Sequence, residues 1–385
     1  MKKLSYRTDV IHSSKIEESL KIMETRKDII SLGAGEPDFP TPANIVRAAH
    51  KAMEDGYTHY SPYGGKKRLR EAIAEKFKKE NKMDISPDEV MVSSGSKEAI
   101  LLSIAAVLNH GDQCIIPNPG YLGYLPIINF LGGEAVSVRL KEEDDFEVNP
   151  DELKKLITDK TKMIVLNSPA NPTGGILRKR TLEEIADIAV EKDVLILSDE
   201  AYEKIIYDNE KHVSIGSFNG MKDYVITLHT FSKSYAMCGF RVGYAVAKKE
   251  LIDNIKKMKI CTTICAPVPS QMAAIEALNG KASQKAVEKM VKEYDRRRKM
   301  LIKRIAEIPN IHANHPRGAF YMFVNVTKLK MKSEEAQKMI LDKAKVFTVP
   351  GIEFGEYGDD YIRMSYATNY GKITEAMDRI EKILR

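Results

Sequence analysis

The chain has no tryptophan, only four cysteines and four glutamines, and no long hydrophobic run among its 385 residues. Its longest nearly unbroken apolar stretch, Ala99 to Leu108, is about half of the ~20 residues that cross a bilayer, so no membrane span is expected. The opening residues MKKLSYRTDVIHSSK lack an apolar signal core, which points to the cytoplasm. Cys114, Cys238, Cys261 and Cys265 are too few for a disulfide framework, and no C-x-x-C pair or H-E-x-x-H helix suggests zinc. Free thiols and no metal are the expectation. Neither sign of charge dominates, with 60 Lys and Arg against 54 Asp and Glu. The two signs interleave along helical patterns, which argues against a nucleic-acid face. The densest basic runs, Lys66 to Arg70 and Arg296 to Lys299, read as solvated helix faces. Glycine and proline, 23 and 16 residues, are spread too evenly for collagen or low-complexity disorder.

What the chain does have is length for two or three domains and an alternation of helical patterns with short apolar strands. DEVMVSSGSKEAILLSIAAVL reads as a strand, a small polar turn and a buried helix. QCIIPNPGY, KMIVLNSPANPTGG, DVLILSDEAY and DYVITLHTFSKSY are strands that end in turns, and KKRLREAIAEKFKKEN is an amphipathic helix. Such strands separated by helices predict an α/β fold with a mostly parallel sheet covered by helices on both faces. Sheets of this kind bind ligands beyond the carboxyl ends of their strands. After about residue 282 the pattern changes, which predicts a large domain over 45–282 and a smaller α+β domain from 1–44 and 283–385.

The unusual polar residues fall at the strand ends: Asn171, Asp199, Tyr202 and Lys233, with Arg241 eight residues further on. Singly, each has an ordinary explanation: an Asp after a strand is commonly a helix cap, N-P-T-G a turn, and a lone Lys a solvated side chain. Together they match what pyridoxal phosphate demands. Its aldehyde needs a lysine amine, for which Lys233 is placed, and that amine must later be free to move a proton. Its phosphate needs backbone N–H groups at a helix start, which Ser94-Gly95-Ser96-Lys97 can supply. Its ring nitrogen stays protonated only beside a buried carboxylate, a role open to Asp199.

At these residues the sequence resembles the class I aminotransferases of fold type I. SLGAGEPDF, HYSPYGGKKRLREAI, SSGSKEA, NSPANPTGG, SDEAY, FSKSYAMCGFRVGY and YIRMSYA follow in the family's order over nearly the whole chain. The resemblance implies that Lys233 is the Schiff-base lysine and proton carrier, that Asp199 pairs with the ring nitrogen, and that Tyr202 and Asn171 hydrogen-bond the ring oxygen. It places the phosphate on Gly95, Ser96, Lys97, Thr230, Ser232 and Arg241. Tyr60 would reach the neighbouring subunit's phosphate, which implies a homodimer with shared sites. Tyr121 would stack on the ring, where many members have Trp or Phe. Arg363 would clamp the substrate α-carboxylate, with Gly35 and Asn171 beside it.

The implied activity is transfer of an amino group to 2-oxoglutarate, with aspartate the first choice of donor and an aromatic or broad preference the alternative. The helix EAILLSIAAVL carries no base to meet a second carboxylate, and Lys15 or arginines of the other subunit are the substitutes considered. A carbon–sulfur lyase and a regulatory effector domain are remoter readings. No nucleic-acid or membrane partner is expected. His312 and His315 read as loop residues.

Overall fold

A computed structural model describes Ser5 and residues 25–385. Lys15 and most of the segment before residue 25 lie outside the described residues. Strand β1 (Ile30–Ser31) comes first, followed by seven strands that form one sheet. These are β2 (Val90–Ser93), β3 (Gln113–Asn118), β4 (Glu134–Arg139), β5 (Thr161–Asn167), β6 (Leu195–Asp199), β7 (Val225–Thr230) and β8 (Gly243–Val246). Their order is β2-β8-β7-β6-β5-β3-β4. Strand β8 runs antiparallel to both neighbours and every other pairing is parallel, so the expected mostly parallel sheet is what forms.

Alternation along the strands explains why both faces need cover. Cys114, Ile116, Met163, Val165 and Leu197 pack on one side with Ile100, Leu102 and Ile104 of the helix Ser96–Val107. Ile115, Ile164, Leu166 and Ile196 point the other way, against Leu182, Ile185 and Ala189 of the helix Lys179–Lys192. A third cluster joins the 27-residue helix Lys281–Glu307 to a four-stranded antiparallel sheet. Its strands are β9 (His312–Ala313), β10 (Tyr321–Asn325), β12 (Val349–Pro350) and β13 (Tyr361–Ser365), and β11 (Val346–Phe347) pairs in parallel with β1.

Several details differ from the sequence reading. Within the basic run Arg296 to Lys299, Arg297 and Arg298 are buried, 5% and 2% exposed, and only the outer two residues face solvent. Arg298 reaches Asp208 with both terminal nitrogens at 2.6 and 2.7 Å and also meets Asp295 and the Pro316 carbonyl. The helix expected through residues 66–81 is α-helical over Lys67–Lys76 and widens to a π turn over Phe77–Asn81, where Lys76 turns inward to Glu203 at 2.5 Å. His312 lies on strand β9, 3.2 Å from Glu142, and not in a loop. Among the described residues no helix is long and apolar enough to cross a membrane, and all four cysteines are free.

Candidate active site

Register brings the chemistry together. In the parallel ladder Asn167 pairs with Asp199, and Asp199 pairs with Leu228, two residues before Thr230. Asn167, Asp199 and Thr230 therefore end adjacent strands on the same edge, and the chain turns there because each is followed by a loop or a helical start. Thr230 caps a single turn, Phe231–Ser234, by accepting the Ser232 N–H at 3.1 Å, which fixes Lys233 at the rim. Beyond this edge lies a cavity of about 340 Å³. It is lined by every site residue that the resemblance implies except Tyr60 and Gly95.

Lys233 Nζ donates to the Gly35 carbonyl at 2.5 Å, so the lysine spans from β7 to the segment after β1. Asp199 is buried; its Oδ2 accepts Tyr124 Oη at 2.8 Å and its Oδ1 accepts the Ala201 N–H at 3.2 Å. Loss of water pushes its carboxyl up to about 6, and those two donors oppose the rise. Tyr202 and Tyr321 share a hydroxyl hydrogen bond of 2.8 Å. Burial raises the Tyr202 phenol well above its ordinary value, and burial lifts that of Tyr121 to about 12.

Arg363 enters from the other side, on the central strand β13 between β10 and β12. It is fully buried, and its guanidinium lies 4.5 Å from the Tyr321 ring centre. Nη1 donates to Asn171 Oδ1 at 3.0 Å and Nη2 to the Gly33 carbonyl at 2.7 Å, while Nε has no partner. No carboxylate among the described residues forms an ion pair with it. A buried cation left without its anion is costly, and such a group suits a ligand that brings one.

A third basic corner forms where β2 meets its helix. Arg241, held in the left-handed region at φ 53°, donates to the Cys238 carbonyl at 2.9 Å and the Ser94 carbonyl at 3.3 Å. Gly95 has φ +83°, and a Cβ there would collide with the Arg241 guanidinium. The first N–H groups of the helix Ser96–Val107 thus lie bare beside a cation, the arrangement that receives a phosphate. Gly95 is part of this corner although it does not line the cavity. Tyr60 lies elsewhere, 79% exposed.

Sequence reasoning missed Tyr321, Tyr124, Asn167 and Glu36, all but Tyr124 lining the cavity. Tyr124, three residues after Tyr121 at the start of a short helix, carried a faint spacing signal; the others carried none. It also missed a buried network behind Asp199. There Glu200 accepts from Ser198, Ser214 and His212, and Glu203 pairs with Lys76. Glu200, Glu203 and His212 are close enough to ligate an ion. Lys76 and His212 already balance the two carboxylates, so the cluster needs none.

The comparisons agree with this geometry. A family model described as aminotransferase class I and II matches residues 27–380. The chain is 46% identical to an aspartate aminotransferase of Pyrococcus abyssi, over 99% of this chain and 98% of that one. It is 42% identical to an aromatic-amino-acid aminotransferase of Thermococcus litoralis, over the same shares. The solved aspartate aminotransferase of Thermus thermophilus with maleate superposes with a TM-score of 0.96 at 35% identity, covering 100% of both chains.

Proposed function

This chain belongs to the class I and II aminotransferases, and from that premise we propose that it moves the amino group of L-aspartate to 2-oxoglutarate, with pyridoxal phosphate held in the cavity at the strand ends. The observation that carries the reading is Arg363: fully buried, without a carboxylate partner among the described residues, in the same cavity as Lys233 and Asp199. The cavity also fits the cofactor. The backbone N–H groups of Gly95, Ser96 and Lys97 with the side chains of Thr230, Ser232 and Arg241 suit its phosphate, Asp199 its ring nitrogen, Tyr202 and Asn171 its ring oxygen, and Tyr121 its ring face.

Pyridoxal phosphate supplies, when bound, an aldehyde that condenses with amines and a ring that takes up the electrons released at Cα. The chain supplies placement and proton movement. Arg363 grips the substrate α-carboxylate through a planar two-pronged donor, which fixes Cα in a chosen orientation. Lys233 would hold the aldehyde, and its free amine would be the base that takes the Cα proton and returns one. In the structure that amine is held inside the cavity by the Gly35 carbonyl. Asp199 stays ionised at neutral pH despite burial, and so favours a protonated ring nitrogen.

The donor's side chain is read by the remaining cation. Arg363, Arg241 and Lys233 are committed to a carboxylate, a phosphate and an aldehyde. Lys97 also lines the cavity, is exposed, and forms no ion pair among the described residues. It is free to meet a second carboxylate, which supplies the base that the rest of its helix lacks. Replacing Lys97 by Ala should lower kcat/KM for aspartate about 10- to 100-fold, as loss of one charge-assisted hydrogen bond does, while phenylalanine is turned over as before. Equal losses for both would remove the aspartate assignment and favour the aromatic alternative, which the Thermococcus relative supports.

The division into a cofactor-holding part, 45–282, and a smaller part from 1–44 and 283–385 is likewise our reading, supported by the pairing of β1 with β11. So is the homodimer, supported by the exposed apolar side chains Tyr60, Tyr63, Met258 and Ile260. The free cysteines accord with a cytoplasmic setting.

A further inference from the structure

The corner proposed for the phosphate contains an element that works against an anion. Glu98 sits in the first turn of the helix Ser96–Val107, only 9% exposed. Its Oε2 accepts the Ser94 N–H at 2.6 Å, so the carboxylate is pinned to the very loop that offers N–H groups. A negative charge here stabilises the helix but repels a phosphate bound at the same end. The structure places a counter-charge against it. Lys259, at the end of the helix Lys249–Lys259, has a side chain with no solvent exposure, and its Nζ lies 2.7 Å from Glu98 Oε2. Thr262 and Thr263 donate to the other oxygen at 2.9 and 2.5 Å, and Ser94 Oγ meets Thr263 Oγ1 at 3.3 Å. Burial opposes ionisation of Glu98, and these donors with Lys259 more than offset it, holding the carboxyl below its ordinary range.

We propose that Glu98 and Lys259 are a positioning pair for cofactor phosphate binding: Glu98 ties the loop Ser94–Lys97 to the segment Ile260–Cys265, and Lys259 cancels the charge that the tie would otherwise present to the phosphate. Neither touches the cofactor. Lys259 acts at a distance through Glu98, and the threonines complete the carboxylate's hydrogen bonds so that the tie holds its shape. The inference rests on the reading of this corner as the phosphate site. It also makes the pair asymmetric, because the two charges have opposite effects on an anion. Removing the lysine exposes the phosphate to an unbalanced carboxylate. Replacing Glu98 by Gln keeps an oxygen to accept the Ser94 N–H, removes the repulsion and leaves the Lys259 charge unopposed near the phosphate corner.

Equilibrium dialysis of cofactor-stripped protein against pyridoxal phosphate and against pyridoxal tests this, since the ratio of the two dissociation constants isolates the phosphate. Lys259→Met should lower the preference for the phosphorylated compound by more than threefold, with about tenfold expected, while Glu98→Gln should leave it at or above the wild-type value. A general loss of folding would weaken both compounds alike and leave the ratio unmoved. A change of threefold or less in Lys259→Met, or a fall in Glu98→Gln, overturns the proposal. If Lys259→Met does not fold, Glu98→Gln decides: a raised ratio supports the pairing of roles and an unchanged or lowered one overturns it. A wild type with no preference for the phosphorylated compound would overturn both this inference and the phosphate reading beneath it. A strong wild-type preference with unresponsive variants overturns this inference alone.

Discussion

Burial moves the Asp199 carboxyl from 3.8 to about 6, against the pull of Tyr124 and Ala201. Between those values the folded chain binds a proton that the unfolded chain has released, so stability falls as pH rises through this window and stays lower above it. The cost at neutral pH is about 3 kcal/mol. Asp199→Asn should therefore raise the melting temperature of cofactor-free protein at pH 7, with the gain fading as pH falls from about 6 towards 4, and should weaken cofactor binding. Thermal unfolding across that range checks it; a gain that does not depend on pH would mean the carboxylate is not strained. Asp199 and Lys233 were legible in the sequence because Asp199 ends an apolar strand and Lys233 follows another by three residues, where a charged residue has no packing reason to be. Tyr124 and Tyr321 were not, because their roles come from partners 75 and 119 residues away. Lys97 was visible as part of the phosphate loop, but its freedom to face a second carboxylate emerged only when the other cavity cations had been placed.

The elements divide the same way. Strands β3, β5, β6 and β7 were plain from their apolar runs, since strands buried on both faces leave unbroken hydrophobic text. Strand β4 passed unnoticed because it is an edge strand whose residues are mostly half-exposed, and β8 because its first two residues fall inside the Arg241 motif. The run Arg296 to Lys299 was read as a helix face, and it does lie on the helix Lys281–Glu307, but the burial of Arg298 was not foreseen, since charge periodicity alone cannot tell a solvated arginine from one that meets a carboxylate on a distant segment. Arg298 joins this helix to Asp208 and to the Pro316 carbonyl. Arg298→Met removes a buried guanidinium whose partners Asp208 and Asp295 keep solvent contact, 41% and 28% exposed, and should destabilise the protein by roughly 1–3 kcal/mol. Urea unfolding would read this directly, and a loss below about 1 kcal/mol would place Arg298 with the weak surface pairs.

At the scale of the molecule, Arg363 is carried on the small antiparallel sheet and Lys233 on the turn that follows strand β7 of the large sheet, so the cavity is lined from both sheets. Tyr60 stands far from solvent protection in its own chain. If it completes a neighbour's site, inactive Lys233→Ala chains mixed and refolded with Tyr60→Ala chains should regain activity, up to about a quarter of wild type, because half the dimers are mixed and each has one intact site. No recovery would separate Tyr60 from the shared site. The central claim, that this cavity moves nitrogen from an amino acid to an oxo acid by way of Lys233, is tested most directly by following the nitrogen itself. Incubated with heavy-nitrogen aspartate, 2-oxoglutarate and pyridoxal phosphate, the protein should pass the label into glutamate with no ammonia released, and Lys233→Ala should pass none. Label recovered in ammonia, or transfer that survives the loss of Lys233, would contradict the account.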